Sequence, residues 1–177
     1  MKYLIMCEGP NELEIIRMLL EADKLIYTYD DLLNLVPYHA RQISSSTAVK
    51  NALSIYHETV TVLRIGDKQN EILKIPKEYK KQIVDVQKFC TKPELEMLLI
   101  ISENLVGQFE KVKSSVSPKT FSKENISYHR RKYDNSTEFY REYYGDRIEL
   151  LVQSIQHYKQ LKGKHKPGEK YLSDLLK

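Results

Sequence analysis

The feature that most constrains this chain lies at its start, where an apolar segment ends abruptly in a tight acidic turn. Residues 2–7 read KYLIMC, which predicts a buried strand, and a Glu-Gly-Pro turn follows at once. Pro10 is tolerated in the first turn of a helix and the next apolar positions have helical spacing, so a helix is predicted over 10–21. Glu8 and Glu12 would then lie at the carboxyl end of a strand, where open α/β sheets place their ligand sites.

Predicted strands and helices alternate along the first part of the chain. Residues 59–65 and 83–90 are rich in β-branched and apolar side chains and are predicted strands. Residues 35–41 are predicted as a short edge strand because they include a proline. Helices are predicted over 45–56, behind a serine cap, and over 95–105. This alternation predicts an α/β fold with a mostly parallel four-stranded sheet flanked by helices.

The second part of the chain has a different character. Residues 111–125 are rich in Ser and Lys and are predicted to form a connection rather than core. Helices are predicted over 135–144, where a capping motif precedes a tyrosine-rich stretch, and over 146–161, which carries an apolar stripe. A basic loop at 163–168 and a last short helix complete the predicted elements.

Length and composition bound the overall organisation. The 177 residues, 41% of them hydrophobic, can bury a core, and no apolar run approaches the roughly 18 residues of a membrane span. We expect a single compact domain, with an α/β core over 1–106 and a helical extension over 107–177 whose basic tail packs on the core. A cytoplasmic protein without a membrane partner is predicted, in which Cys7 and Cys90 are reduced and behave as small hydrophobic side chains.

Charge is distributed unevenly. The net charge is +4, with acidic residues dense in the first third and basic residues concentrated in 129–132 and 159–170. The acidic first third can hold a metal ion while the basic residues late in the chain bind a phosphate backbone. Two ordinary solvated faces would give the same composition, and composition alone favours that simpler interpretation.

Acidic residues follow three of the predicted strands. They are Glu8 with Glu12, then Asp67, then Glu94 or Glu96. Neighbouring parallel strands end at one edge of a sheet, so these carboxylates can converge there. Clustered carboxylates repel one another unless a cation neutralises them, and hard oxygen ligands select Mg²⁺, Mn²⁺ or Ca²⁺.

Each acid also has a structural explanation. Glu12 lies in the first turn of its helix, where the helix dipole stabilises a carboxylate, and Asp67 fits an ordinary turn. Glu94 lies three residues after Thr91, the spacing of a capping box, so capping is its preferred role. Glu96 lies in a helix that is apolar almost all round, where burial of an unpaired carboxylate is costly, so coordination or a basic partner is expected.

These motifs carry a resemblance to a known family. The strand-Glu-Gly-x-x-Glu-helix start, Asp67 after a strand, and Lys-Pro-Glu-Leu-Glu-Met-Leu-Leu-Ile after a further strand resemble the Toprim superfamily, which has a Rossmann-like core. Within it, residues 1–105 are most similar to the small stand-alone Toprim-like proteins and to the nuclease domains of the OLD (overcoming lysogenization defect) family.

The resemblance implies phosphodiester hydrolysis on DNA or RNA with Mg²⁺ or Mn²⁺ as the cofactor. It implies that Glu8 and Asp67 are catalytic, together with a late lysine for which Lys166 is the best match and Lys164 the next. Metal ligands implied by the same resemblance are Glu8, Glu12, Asp67 and Glu96. It further implies a role in phage defence or a mobile element and an ATPase partner encoded separately, because OLD-like nuclease domains are usually fused to an ATPase.

The sequence departs from the family pattern at one position. Gln69 stands where the second aspartate of an Asp-x-Asp motif is expected, so one carboxylate is missing. If the family's two metal ions bind here, this loss of charge weakens binding of the second ion before that of the first. The alternative function is therefore a catalytically degenerate Toprim-like module that binds nucleic acid or a partner ATPase. A homodimer is compatible with either function.

Basic residues late in the chain are candidates for nucleic-acid binding. Arg130, Arg131 and Lys132, together with Lys164, are predicted to hold backbone phosphates, although an exposed basic loop explains the run equally well. Aromatic residues over 128–144 could stack on single-stranded bases, but packing of a helix against its neighbour is the favoured interpretation.

Overall fold

A central parallel sheet organises the molecule. The computed structural model describes residues 1–67, 71–91, 94–161 and 168–177. Its five strands are β1 Lys2–Cys7, β2 Tyr38–His39, β3 Val60–Gly66, β4 Ile83–Cys90 and β7 Lys170–Tyr171. They pair in the order β2-β1-β3-β4-β7, and every pair is parallel. The predicted α/β class with a mostly parallel sheet is confirmed, with one strand more than predicted.

Helices cover both faces of this sheet. Their bounds are α1 Pro10–Glu21, α2 Thr47–Ile55, α3 Met97–Ser102, α4 Val106–Val112, α5 Pro118–Asn125, α6 Thr137–Tyr144 and α7 Ile148–Leu161. Short 3₁₀ helices span Tyr29–Asp31, Leu33–Leu35, Lys77–Tyr79 and Leu172–Leu175, and a separate antiparallel hairpin pairs β5 Ser127–Tyr128 with β6 Arg131–Lys132. The larger core lies between the sheet and α1, α3, α6 and α7, and the smaller one lies under α2. No helix within the described residues is long and apolar enough to cross a membrane.

Local sequence signals account for several element ends. Gly9 is extended at the N-cap of α1 and Pro10 occupies its first turn, so the strand changes into a helix over a few residues. Ser46 caps α2 by accepting from Val49 N at 3.3 Å. Ser136 caps α6 by accepting from Phe139 N at 3.1 Å.

The register of the central strands brings their carboxyl ends level. Cys7 of β1 lies opposite Ile65 of β3, and Gly66 of β3 lies opposite Cys90 of β4. The pairing continues just beyond the strands, because Glu8 N donates to Ile65 O at 2.9 Å. Residues that follow β1, β3 and β4 therefore lie along one edge, which we call the carboxyl edge.

The segment from α3 to α5 differs from the prediction. The predicted helix over 95–105 is shorter in the structure, where α3 ends at Ser102, Asn104 adopts a left-handed φ of 56°, and α4 begins only at Val106. The stretch 111–125, predicted as a connection, contains the end of α4 and all of α5, whose Phe121 is buried in the larger core.

The C-terminal part of the chain shares its core with the N-terminal part. Helix α6 packs on α1, α7 packs on α3, and β7 extends the sheet beside β4. Burial supports the packing interpretation of the aromatic stretch, since the α6 residues Phe139, Tyr140, Tyr143 and Tyr144 are at most 1% exposed. Cys7 and Cys90 are also buried, and burial raises the pKa of the Cys7 thiol.

Candidate functional site

Glu8 lies buried at the centre of the carboxyl edge. The residue is only 6% exposed. It lies directly over Gly66, where a Cβ atom would come within 2.3 Å of the Glu8 Cδ. The absence of a side chain at Gly66 is therefore what leaves room for this carboxylate.

Arg64 provides a positive charge for Glu8. This residue belongs to β3, pairs in register with Met6, and is 2% exposed. Its Nη2 lies 3.2 Å from Glu8 Oε1 and donates to Arg41 O at 3.2 Å, while Nη1 donates to Glu71 O at 2.7 Å. Sequence reasoning missed this ion pair, although an arginine inside an otherwise apolar strand was a signal that an acid lies nearby.

Glu12 lies within the electrostatic field of the other acids. It occupies the first turn of α1, with its carboxylate beside Gly9. Burial raises its pKa most, and the negative charges of Asp67, Glu96 and Glu8 raise it further. Asp67 is exposed at the end of β3. The four acids predicted as metal ligands therefore do lie near one another at the carboxyl edge.

Glu96 is held by polar groups from another part of the chain. Glu96 is 6% exposed, and Tyr133 Oη donates its single proton to Glu96 Oε1 at 2.9 Å. The Asn135 amide is accordingly oriented with its nitrogen 3.2 Å from Glu96 Oε1 and its oxygen 2.9 Å from Lys119 Nζ. Burial and the charge of Glu96 raise the pKa of Tyr133, so this hydroxyl stays protonated and remains a donor.

Glu94 caps a different helix from the one predicted. Helix α3 begins at Met97, so the expected capping box between Thr91 and Glu94 does not form. Instead the Glu94 carboxylate accepts from Lys119 N at 3.0 Å, in the first turn of α5. Burial raises the pKa of Glu94, and the charges of Glu96 and Asp67 add to that rise.

Lys119 is a second basic residue at this edge that sequence reasoning missed. Its charge lowers the pKa of Glu94, opposing the effect of burial, and its Nζ contacts Asn135. No local pattern distinguishes it from the other lysines of 111–125. Its role follows only from the placement of α5 beside the carboxyl edge.

The donor set at this edge fits a hard divalent cation in part. Carboxylate oxygens are the ligands that Mg²⁺ and Mn²⁺ prefer, and Glu12 and Asp67 carry charge that Arg64 does not contact. Glu8 and Glu96 each use Oε1 for an internal contact. In the described ranges, no group of three or more His, Cys, Asp or Glu side chains is arranged so that it could hold a metal ion. Positions 68–70, which include Gln69, lie outside these ranges.

The basic run forms the hairpin rather than an irregular loop. Arg131 is ion-paired with Asp134 at 2.8 Å and with Glu142 at 3.0 Å, so its predicted role in phosphate binding would require these contacts to break. Arg130 and Lys132 are exposed. The predicted residues Lys164 and Lys166 lie outside the described residues.

Comparison with known proteins adds no family assignment. No protein-family model, curated protein or solved structure gives a significant match to the chain. The resemblance to the Toprim superfamily therefore stays a prediction.

Proposed function

We propose that this protein hydrolyses phosphodiester bonds in nucleic acid with the help of a divalent cation, as a Toprim-like nuclease. The observation that carries the proposal is the convergence of Glu8, Glu12, Asp67 and Glu96 at the carboxyl edge, where burial raises the pKa of Glu12 most and repulsion from the other three carboxylates raises it further. A divalent cation would relieve this repulsion, and its hard-ligand preference matches the donors. Motif similarity at Glu8, Asp67 and Glu96 supports the same reaction.

Glu12 and Asp67, together with Glu8 and Glu96, would hold the ion. When bound, Mg²⁺ or Mn²⁺ polarises a phosphate and lowers the pKa of a coordinated water. Arg64 holds Glu8 in a fixed orientation, and Tyr133 does the same for Glu96. Preorganised ligands of this kind reduce the reorganisation needed during reaction.

Cations of the chain would contact the substrate around this site. Lys119 lies at the edge, next to Glu94 and Asn135, where it could counter charge that develops on a phosphate. Arg130 and Lys132 are exposed for contacts with neighbouring phosphates. The prediction that Lys166 stabilises charge on the leaving oxygen concerns a residue outside the described ranges.

A cleavage assay with conservative variants tests the proposal. Circular single-stranded DNA, circular double-stranded DNA and RNA are incubated with the protein in Mg²⁺, Mn²⁺ or EDTA. We expect cleavage that requires the metal and is lost in a Glu12→Gln, Asp67→Asn double variant, which keeps side-chain size. Glu78→Gln, at an exposed site in the segment leading to the amino end of β4, is the matched control. Metal-dependent cleavage that survives in the double variant would exclude this site.

One observation favours a second function, a non-catalytic module that binds nucleic acid or a partner such as an ATPase. Arg64 and Tyr133 give Glu8 and Glu96 internal partners, so two of the four carboxylates are stabilised without a metal. Thermal melting with and without Mn²⁺ separates the two functions. A rise in melting temperature that the double variant lacks supports the metal site, whereas no rise and no cleavage of any substrate support the binding module.

A further inference from the structure

The hairpin between α5 and α6 carries a column of stacked planar groups. The Tyr128 and His129 rings stack with centroids 4.0 Å apart and an interplanar angle of 17°. The Arg147 guanidinium lies 4.2 Å from the centroid of the same Tyr128 ring. One face of a ring accommodates one planar group at this distance, so Arg147 and His129 lie on opposite faces of Tyr128.

This column is rooted in the core at its inner end. Arg147 also lies 4.1 Å from the centroid of the Tyr143 ring, and its Nε donates to Tyr143 O at 2.9 Å. Tyr143 is fully buried, and its ring meets Tyr128 edge-on at 5.3 Å. At its outer end the column finishes at His129, which is exposed. The imidazole is therefore presented to solvent on a fixed support.

The backbone at the tip of the hairpin adopts an uncommon conformation. His129 and Arg130 form the two-residue loop between β5 and β6, with φ angles of 46° and 68°. Loops with two positive φ values favour Gly, Asn and Asp; histidine adopts a positive φ more readily than most larger residues, whereas arginine does not. The chain places a ring and a guanidinium at these positions instead. Strained positions of this kind often serve binding.

The hairpin also carries exposed basic residues, and its base lies beside the carboxyl edge. Arg130 and Lys132 are exposed on the hairpin, whereas Arg131 braces it through Asp134 and Glu142. The residue after β6 is Tyr133, which contacts Glu96. The base of the hairpin therefore adjoins the carboxyl edge.

We infer that the exposed face of His129 is a stacking site for an unpaired base of single-stranded DNA or RNA, with Arg130 and Lys132 contacting the flanking phosphates. This inference rests on the proposed action on nucleic acid and adds that the nucleic acid bound at the hairpin is single-stranded. The face of a base is available for stacking only when the base is unpaired, whereas phosphate contacts alone would not distinguish single strands from duplexes.

Binding measured in EDTA tests the site separately from cleavage. Fluorescence anisotropy follows a labelled single-stranded 20-mer and the same sequence as a duplex at fixed salt, with DNA and RNA versions of each. We expect tighter binding of the single strands and a roughly 5- to 20-fold loss for His129→Gly, because each stacked base contributes appreciably to affinity. Glycine adopts positive φ readily, so this variant keeps the turn. His129→Phe restores a ring and should restore most of the affinity.

Matched controls separate stacking from charge. His57→Ala removes an exposed histidine from the loop before β3, at the opposite edge of the sheet, and should leave binding unchanged. Arg130→Gln should weaken single strands and duplexes alike and reduce the salt dependence. Circular dichroism verifies that each variant is folded.

Each outcome bears on the inference. A wild-type protein that binds no single strand, prefers the duplex, or loses nothing on His129→Gly would overturn it. Binding in EDTA that depends on His129, combined with no metal-dependent cleavage, would retain the stacking site and reject the proposed hydrolysis. Cleavage combined with binding that is indifferent to His129 would reject the stacking site alone.

Discussion

Replacement of Arg64 by methionine is expected to destabilise the protein strongly in the absence of metal. Methionine has a similar length but no charge, so Glu8, 6% exposed, would lose the buried cation that lies 3.2 Å from it. The carbonyl oxygens of Arg41 and Glu71 would lose donors as well. Removing one partner of a buried ion pair costs about 3–5 kcal/mol, which for a chain of this size corresponds to a fall in melting temperature of roughly 6–20 °C.

Urea denaturation in EDTA near neutral pH measures the change in the free energy of unfolding. Arg131→Met is the matched control, because Arg131 pairs with Asp134 and Glu142 at a half-exposed site and should cost less than about 1 kcal/mol. The double variant Glu8→Gln, Arg64→Met removes both charges, so it should recover about 1–3 kcal/mol relative to the sum of the single changes.

Metal provides a further arm of the same experiment. If a cation binds at the carboxyl edge, Mn²⁺ should stabilise Arg64→Met more than the wild type, since the ion would replace the lost positive charge beside Glu8. A cost below about 1 kcal/mol for Arg64→Met, or strict additivity in the double variant, would refute the assignment of Arg64 as the cation that stabilises Glu8.

Three further predictions concern the same edge. The raised pKa of Glu12 means that the folded state holds its proton to higher pH than the unfolded state, so wild-type stability falls as pH rises above the ordinary glutamate range. Glu12→Gln should lack that fall and melt higher near neutral pH in EDTA; parallel melting curves of the two proteins across pH would contradict this. Gly66→Ala should destabilise by about 1–3 kcal/mol and abolish any Mn²⁺-induced rise in melting temperature, whereas Gly107→Ala, with nothing within 4 Å of the new Cβ, should be neutral or stabilising. Tyr133→Phe should lower the free energy of unfolding in urea by about 1.5–3 kcal/mol, because it removes a hydrogen bond to the charged Glu96. Tyr158→Phe is the control, since the Tyr158 hydroxyl is buried without a hydrogen-bond partner among the described residues. An equal cost for the two changes would show that the bond between Tyr133 and Glu96 contributes nothing.

Much of the fold was predictable because its signals are local. The strands β1, β3 and β4 are runs of apolar and β-branched residues that end at turn residues, and α1 begins at a proline. The two-residue strand β7 was missed because so short a segment carries no alternation pattern. It becomes a strand only because the chain passes beside the outer edge of β4.

The candidate site was also predictable from the sequence only in part. Sequence alone brought Glu8, Glu12 and Asp67 to one edge, because strand ends in a parallel sheet coincide. Glu94 was assigned to the wrong helix, since capping-box spacing is a local criterion and α5 reaches Glu94 only through space. The structure also paired residues that no spacing rule connects, such as Tyr133 with Glu96.

The tight Glu-Gly-Pro turn after β1, together with the alternation of strands and helices, determined by itself that this chain forms a parallel α/β sheet with acids at its carboxyl edge. Only the tertiary structure decided how those acids are stabilised. Arg64 reaches Glu8 through the register of two strands, and the hairpin segment reaches Glu96 through the packing of α6 on α1. Charge compensation depends on distances between residues far apart in the chain, and local sequence patterns carry no information about those distances.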